Sequence, residues 1–263
     1  MKYICFTNDC IIASSLDTLN PVDTIFVDLE ILGKFDRQGH TNGLISNHNF
    51  EDIKNLRNCL KSTSLGARID PFNTNSKYQI NKCIEYGVDV IMLPMFSTVE
   101  EVQNVISLIN KRVSLDLLFE TPRSLEIIDF IPKEYIRKIH FGINDLALAY
   151  SFKSMFNCLF FKGLENAATK CIQKGYEFGI GGIGALGSKP INPELIFSKL
   201  IMMKSSRLIL SRSFLKKIDT NNLTSARNTA KINLDALICL EKKLMLLDEE
   251  QIKIKLDIFK KLI

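Results

Sequence analysis

Short apolar runs alternate with amphipathic segments along most of the chain. Eight of these runs have the length and the β-branched or aromatic content of strands, and each of them stops at polar or turn-forming residues. A run that is apolar throughout is typical of a parallel strand buried on both faces of its sheet. The eight runs lie at residues 2–7, 24–27, 65–69, 88–93, 115–119, 136–141, 177–180 and 207–210.

The segments between these runs carry helix signals. Thr98, followed three residues later by Glu101, has the sequence of a capping box and opens a segment with apolar residues on one helical face. Gly175 follows the longest of these segments and is a good C-terminal stop. Further helices are predicted at residues 50–60, 76–86 and 154–174.

Strand–helix alternation predicts parallel strands joined by right-handed crossovers. Eight repeats in a chain of 263 residues without a Pro/Gly/Ser-rich linker favour an α/β fold of the (β/α)8 TIM barrel type. The alternative is an open doubly wound sheet, but the first strand is not followed by the GxGxxG motif of that class. We predict a barrel domain at residues 1–215 and extra C-terminal helices at 216–263.

The C-terminal extension is predicted to pack on the barrel or on a neighbouring subunit. It carries two apolar stripes, which a helix cannot leave in water without a large exposed patch. Residues 252–258 also alternate like a strand, but helical spacing is equally satisfied and we predict a helix. The tail therefore predicts a homo-oligomer. The stripes comprise Leu234, Leu237, Ile238 and Leu244, then Ile252, Leu256, Phe259 and Ile263.

Composition excludes several classes of function. The 34 basic and 29 acidic residues leave a net charge of only +5, no basic cluster is interleaved with aromatic residues, and Trp is absent, so nucleic acid binding is disfavoured. No apolar run approaches the roughly 20 residues that span a bilayer, and the N-terminus is a poor signal peptide. Seven scattered cysteines without a CxxC pair predict reduced thiols and a cytoplasmic protein.

Carboxylates follow two of the predicted strands. Glu120 comes directly after the run at 115–119, and Asp145 comes four residues after the run at 136–141. Barrel enzymes build their active sites at this end of the strands, so the two side chains could share a divalent cation. Hard oxygen ligands suit Mg²⁺ or Mn²⁺. The alternative is that both are ordinary helix-start acids, which favour first turns.

A second group of charges surrounds the ends of the second and third strands. Asp28 and Glu30 follow the second strand, and Glu30 could orient a ligand or a metal-bound water. Arg68 lies inside an apolar strand, where an unpaired charge is very costly, so it needs either a rim carboxylate or a substrate carboxylate. The alternatives without a catalytic role are that the two acids cap a helix and that Arg68 forms a structural salt bridge with Asp28 or Asp70.

Other polar features carry weaker signals. Residues 181–187 contain four glycines after the seventh strand, where barrel loops often bind phosphate, although the glycines could serve only a bend. His140 lies within a strand run and is more often a satisfied core residue than a base. His40 and His48 lie in the loop after the second strand and could approach the site.

Five segments in order resemble the HpcH/HpaI aldolase and citrate lyase β-subunit family. They read TIFVDLE, GARIDPF, GVDVIMLPMFSTVEEV, LLFETPRSLE and IHFGINDLAL, and together they cover roughly residues 22–150. The resemblance implies a (β/α)8 barrel that uses Mg²⁺ or Mn²⁺ to bind a 2-oxo acid. It implies that Glu120 and Asp145 are the metal ligands and that Arg68 contacts the substrate.

By the same resemblance, Asp28 and Glu30 match the acidic motif after strand two, and we predict further substrate contacts from Pro94, Gly142 and Asn144. One departure concerns the position after Glu30, where pyruvate aldolases of the family usually carry a histidine associated with proton transfer. Here that position is Ile31. Citrate lyase-like members of the family also lack the histidine. Candidate replacements in the following loop are Lys34, Arg37 and His40.

We therefore predict a cytoplasmic, metal-dependent carbon–carbon lyase of the aldolase type, acting on pyruvate or a related 2-oxo acid and an aldehyde. The catalytic set comprises Arg68, Asp28, Glu30 and His40. Alternatives are a decarboxylase or a thioester lyase on the same scaffold, and a barrel that binds a metabolite without turnover. Predicted partners are the small-molecule substrates and further copies of the chain, with no nucleic acid or membrane.

Overall fold

Eight parallel strands form a closed barrel in the computed structural model, which describes residues 1–34, 46–189 and 191–263. Each strand pairs with its neighbours in the sequence, and β8 returns to pair with β1, so the predicted (β/α)8 barrel is confirmed. The strands are β1 Lys2–Phe6, β2 Val22–Asp28, β3 Ser64–Arg68, β4 Val90–Leu93, β5 Ser114–Phe119, β6 Ile136–Phe141, β7 Phe178–Ile183 and β8 Arg207–Leu210.

Helices follow the strands and cover the outside of the barrel. In the part of the chain that the structure describes, they are α1 Cys10–Leu16, α2 Phe50–Cys59, α3 Ser76–Glu85, α4 Val99–Ile109, α5 Pro122–Glu126, α6 Ile143–Ala149, α7 Lys162–Lys174, α8 Pro193–Met202, α9 Arg212–Leu215, α10 Leu223–Met245 and α11 Glu249–Leu262. Short 3-10 helices lie at Ile127–Phe130, Lys133–Tyr135 and Met155–Phe160.

The capping residues and the stop glycine predicted from the sequence begin and end their helices as expected. Thr98 accepts a hydrogen bond from the Glu101 amide at 3.2 Å, and Glu101 accepts one from the Thr98 amide at 2.9 Å, which closes the capping box of α4. Asn49 caps α2 in the same manner with Asp52. Gly175 ends α7 in the left-handed conformation (φ +69°), which costs glycine little.

Two element boundaries differ from the prediction. The single helix expected at 154–174 is divided at Phe161, whose backbone is extended and whose ring packs at 4.5 Å from Tyr150 and 5.6 Å from Phe152. The aromatic contacts thus decide the break, and they are not visible in the local pattern. Strand β7 runs on to Ile183, through part of the glycine segment that was expected to be a loop.

The barrel interior has an apolar middle and a charged N-terminal end. Side chains of Ile4, Phe26, Val90, Met92 and Leu118 form a separate buried cluster inside the barrel. Below it, Asp116 on β5 accepts hydrogen bonds from Arg137 on β6 and from Arg207 on β8, and Arg207 also reaches Asp23 at 2.7 Å. Because β5 and β8 are not neighbours, this ion-pair network crosses the interior and closes that end of the barrel.

The C-terminal helices lie against the outside of the barrel. Helix α10 contacts α1 and α8, and α11 contacts α8. Tyr3 on β1 donates a hydrogen bond to Glu241 on α10 at 3.3 Å, and the amino group of Met1 pairs with the same carboxylate. The stripe residues Leu234, Leu237, Leu244, Ile252, Leu256 and Phe259 are buried.

All seven cysteines are free thiols. Among the described residues, no helix combines the length and the apolar composition needed to cross a bilayer.

The buried His140 generates a prediction about acid stability. Burial, together with the positive charges of Arg207 and Arg68, lowers the pKa of His140 to about 3. As the pH falls from 6.5, the unfolded chain therefore gains a proton at this residue that the folded chain does not. We expect wild type to lose about 1.5 kcal/mol more unfolding free energy than His140→Gln between pH 6.5 and pH 5. Urea unfolding at both pH values measures this difference, and parallel losses in the two proteins would contradict it.

Candidate active site

A cavity of about 480 Å³ lies at the C-terminal end of the barrel. Its wall includes Phe6, Asp28 and Arg68, which are the last residues of β1, β2 and β3. It also includes Glu120 and Gly142, which directly follow β5 and β6. The size is within the range of sites for small-molecule ligands. The sequence prediction that the polar strand ends converge on one rim is therefore realised for these residues.

Asp28 and Arg68 form the central ion pair of this rim. They are direct partners in the register of β2 and β3. The guanidinium grips the carboxylate in a bidentate arrangement, with Nε donating to Oδ1 at 2.9 Å and Nη2 donating to Oδ2 at 2.8 Å. The Arg68 guanidinium also lies over the ring of Phe6, 4.9 Å from its centroid. Both contacts fix the plane of the guanidinium.

Two further charges complete the network. Lys34 donates to Asp28 at 2.7 Å and lies 3.5 Å from Glu30, and Arg68 Nε lies 3.3 Å from Glu30. Lys34, Asp28 and Glu30 are all buried, so two cations and two anions compensate one another away from water. Lys34, a candidate proton carrier from the sequence, is thus a buried partner of the acids. Glu30 belongs to the network and does not line the cavity.

The network sets the charge of Asp28. Burial alone would raise the pKa of this carboxyl, but the charges and hydrogen bonds of Arg68 and Lys34 outweigh burial and hold the pKa well below its usual range. Burial on its own would lower the pKa of the Arg68 guanidinium. The negative charges of Asp28, Glu30 and Glu120 outweigh burial and raise this pKa above its usual value. The paired Asp28 carboxylate is therefore favoured as an anion that orients Arg68, and a carboxylate with a lowered pKa is a weak base near neutral pH.

Glu120 and Asp145 reach the same cavity from β5 and from the first turn of α6. Both are buried. Gly142 makes room for Glu120, because a Cβ at Gly142 would lie 2.5 Å from the Glu120 Oε2 atom and 2.8 Å from its Cβ. Gly142 is thus required for the position of the carboxylate, in addition to lining the cavity.

The donor set at this point fits a hard divalent cation. Two buried carboxylates, with the remaining positions left to water and substrate oxygens, match the way Mg²⁺ is usually bound in enzymes. Within the described ranges, no cluster of three or more His, Cys, Asp or Glu side chains offers a closed metal cage. Glu120 and Asp145 would therefore hold a cation only together with solvent and substrate.

The other predicted residues have different outcomes. Asn144 lines the cavity, whereas Pro94 is buried at the end of β4 and is not part of the cavity wall. His40 and Arg37 lie outside the described residues. Ile31, which occupies the position of the histidine found in pyruvate aldolases, is 65% exposed. The backbone amide of Ile31 is held by Asp70 at 2.7 Å, which fixes the start of this loop.

His48 lines the cavity and has a defined tautomer. Its Nδ1 atom accepts a hydrogen bond from the Asp28 backbone amide at 2.9 Å, so the neutral ring carries its proton on Nε2. Burial lowers the pKa of His48; the acids Asp28 and Asp52 oppose the shift, and Lys34 and Arg212 add to it. The sequence pattern suggested only that this residue could approach the site, because its orientation depends on the contact with β2.

The far wall of the cavity comes from the ends of β7 and β8. It contains Gly181, Gly182, Gly184, Ser188, Lys189, Ser211, Arg212 and Ser213. His140 also lines the cavity, and its Nε2 atom lies 3.0 Å from the Gly181 carbonyl oxygen. With its pKa near 3, His140 is neutral at ordinary pH and donates to this carbonyl.

Comparisons with known proteins extend the picture from the site to the whole fold. No family model and no curated protein sequence matches the chain. Among solved structures, an HpcH/HpaI aldolase/citrate lyase family protein from Burkholderia cenocepacia J2315 aligns with a TM-score of 0.63 and 11% identity, covering 86% of this chain and 94% of that one.

Two further structures align over nearly their full length. RipC from Yersinia pestis gives a TM-score of 0.56 at 15% identity, covering 96% of this chain and 98% of its own. The citrate synthase SbnG gives 0.58 at 15% identity, covering 89% and 94%. The resemblance predicted from the sequence segments is thus confirmed at the level of the fold: this chain has the barrel fold of the HpcH/HpaI aldolase/citrate lyase family.

Proposed function

We propose that this chain is a metal-dependent carbon–carbon lyase of the HpcH/HpaI aldolase type, which forms or cleaves a bond between a 2-oxo acid such as pyruvate and an aldehyde. The observation that carries the proposal is the placement of Arg68, oriented by Asp28, in the same cavity wall as the buried carboxylates Glu120 and Asp145. The fold likeness supports it.

Glu120 and Asp145 would hold Mg²⁺ or Mn²⁺, which when bound supplies Lewis-acid stabilisation of negative charge on the oxo-acid oxygens. Arg68 would bind the same oxygens with a second positive group. Its bonds to Asp28 use Nε and Nη2, so Nη1 is the nitrogen best placed to donate to a substrate oxygen. Asp28 keeps the fork in one orientation, so little rotamer entropy is lost on binding.

His48 would add a hydrogen bond from Nε2–H to a substrate oxygen. It cannot take up a proton at Nδ1 without losing the bond from the Asp28 amide, so its role is donation rather than proton abstraction. Asp28 holds Arg68 through both of its oxygens, so its proposed role is to orient the guanidinium. Arg68, Asp28 and His48 therefore act by binding and orientation.

A second candidate is a barrel that binds a metabolite without turnover. The exposed Ile31 in place of the aldolase histidine favours it. Exchange of pyruvate methyl protons with deuterium, followed by NMR in the presence of Mn²⁺, distinguishes the two because exchange requires loss of a methyl proton but no aldehyde. We expect exchange; binding of Mn²⁺ and pyruvate without exchange would favour the binding-only function.

Arg68→Lys keeps the charge but loses the planar fork. We expect pyruvate binding to weaken by about 1–3 kcal/mol, the range for hydrogen bonds to charged groups, while Mn²⁺ binding persists. Isothermal titration calorimetry measures both affinities, and thermal unfolding checks that the variant remains folded.

Arg57→Lys is a matched control, since Arg57 pairs with Asp89 at 2.9 Å and is not part of the cavity wall. It should bind pyruvate like wild type. If Arg68→Lys bound pyruvate as tightly as wild type, Arg68 would have to be reassigned to a structural ion pair.

Glu120→Gln preserves size at the cation position and removes one charge. We expect the affinity for Mn²⁺ to fall roughly 100-fold, which is the upper end of the loss seen when a group that supports a metal ligand is removed. The rate of deuterium exchange should fall with it. The control is Glu126→Gln, because Glu126 is exposed, is not part of the cavity wall and pairs with Arg123 across one helical turn. Absence of Mn²⁺ binding by wild type would rule out the metal assignment.

We also propose that the chain forms a homo-oligomer through the part of its C-terminal helices that carries Leu246, Ile254 and Ile258. Leu246, Ile254 and Ile258 lie outside the two apolar stripes and are 86%, 57% and 48% exposed. We expect light scattering to give an oligomer for wild type and a smaller species for the double variant Ile254→Lys/Ile258→Lys. Ile232→Lys, at a 67% exposed position on α10, is the control. A wild-type monomer at micromolar concentration would contradict this proposal.

A further inference from the structure

The oxygen of an aldehyde in this cavity needs a proton when the carbon–carbon bond forms, because negative charge develops on that oxygen. A positioned acid that supplies the proton typically speeds such a step roughly 10²–10⁴-fold. Arg68 keeps its protons at any accessible pH. Asp28 is held as an anion by Arg68 and Lys34. The proton therefore has to come from another group of the wall.

Lys34 belongs to the cavity wall, and its side chain is only 4% exposed. Its Nζ atom donates to Asp28 Oδ2 at 2.7 Å and lies 3.5 Å from Glu30 Oε2. An ammonium group has three N–H donors. The contacts of Nζ with the described residues use no more than two of them, so a further N–H can donate to a ligand in the cavity.

Lys34 and Arg68 meet at one oxygen atom. Asp28 Oδ2 accepts from Lys34 Nζ at 2.7 Å and from Arg68 Nη2 at 2.8 Å. The ammonium group thus lies beside the guanidinium proposed to bind the oxo acid. An aldehyde carbonyl must approach the bound oxo acid to react with it, so a proton donor next to Arg68 is close to both reactants.

The backbone that carries Lys34 is fixed from the end of β3. Asp70 accepts hydrogen bonds from the Ile31 and Leu32 amides at 2.7 and 2.9 Å, and the Lys34 amide donates to the Ile31 carbonyl at 3.2 Å. In this turn Ile31 is 65% exposed and lies outside the cavity wall, whereas Lys34 is buried and is part of it. The turn therefore selects which side chain of this loop faces the site.

We propose that Lys34 is a catalytic acid–base residue, which gives a proton to the aldehyde oxygen when the carbon–carbon bond forms and takes it back when the bond is cleaved. This assignment rests on the proposed lyase function. During bond formation, the enolate electron pair makes the new carbon–carbon bond and the carbonyl π pair moves to oxygen. The proton then passes from Nζ to this oxygen, which as an alkoxide is a stronger base than an amine.

The proton balance closes through solvent. Lys34 is left as a neutral amine, and it regains a proton from solvent. Solvent has received one proton from the methyl group of the oxo acid when the enolate formed. Asp28 and Glu30 stabilise the ammonium form of Lys34, so the donor is restored before the next turnover.

The test uses Lys34→Arg, which keeps a positive charge beside Asp28 and Glu30 but does not release a proton at accessible pH. We expect kcat for condensation of pyruvate with glycolaldehyde or with propanal, measured with Mn²⁺, to fall roughly 100-fold, the lower end of the range for a general acid. Lys34→Met removes the charge as well and should lose condensation at least as strongly. Thermal unfolding checks that both variants are folded.

Deuterium exchange into pyruvate distinguishes this role from substrate binding. Exchange requires no aldehyde and thus no proton on an aldehyde oxygen. Lys34→Arg should therefore exchange at close to the wild-type rate, and its affinities for Mn²⁺ and pyruvate, measured by calorimetry, should be unchanged. The control is Lys54→Arg, the same substitution at a lysine that pairs with Glu51 outside the cavity wall, and it should condense both aldehydes like wild type.

The possible results separate this assignment from the lyase function. Condensation by Lys34→Arg at the wild-type rate would make Lys34 a structural counter-ion, and equal losses of exchange and condensation would make it a binding residue. Either result, or a wild type that exchanges but condenses neither aldehyde, would overturn the assignment alone. A wild type that binds Mn²⁺ and pyruvate without exchange would contradict the lyase function and this role with it. If Lys34→Arg does not fold, Lys34→Met gives the same comparison of condensation with exchange.

Discussion

The Asp28–Arg68 ion pair is the interaction on which the rest of the rim depends. A carboxylate that is only 2% exposed carries a large desolvation cost, which a bidentate guanidinium and a lysine offset only because the geometry is good. The pairing follows from the strand register, which places the two residues opposite each other. Removal of either partner would unbalance the charges of the buried network, which also contains Lys34 and Glu30. The pair therefore holds the ends of β2 and β3 together and orients the group proposed to bind substrate.

A second ion-pair network, at the opposite end of the barrel, shows how similar residues can have different consequences. Asp116, Arg137 and Arg207 cross the interior and close the N-terminal end, and the apolar cluster around Phe26 separates them from the rim. In the lower network the side chains of Asp116 and Arg207 are almost completely buried, whereas the upper network borders a cavity of about 480 Å³. A buried arginine is thus structural at one end, and at the other end it is both structural and available to a ligand.

The fold could be predicted from the sequence because burial on both faces requires strands that are apolar throughout, and eight such runs are visible. The convergence of Asp28, Arg68, Glu120 and Asp145 on one rim followed from the same rule, since each lies at or just past a strand end. The bidentate pairing of Arg68 could be stated only as an alternative, because pairing depends on the register between strands and not on position within one strand.

Other features of the site could not be predicted from the sequence, because they also depend on contacts between separate elements. Pro94 also lies at a strand end, but it is buried and is not part of the cavity wall, an outcome that the local pattern does not determine. The tautomer of His48 is set by an amide twenty residues earlier in the chain. Gly142 looked like a ligand contact, and its close approach to Glu120 shows that its lack of a side chain also matters for packing.

The arrangement of charges around the cavity connects these observations. Asp28 and Arg68 compensate each other, and the register of β2 and β3 fixes both groups in the cavity wall. Glu120 and Asp145 line the same cavity, and carboxylates that lie close together favour a cation or a proton between them. The ion pair therefore supplies rigidity to the rim, and the two carboxylates are the groups expected to contribute most to cation binding.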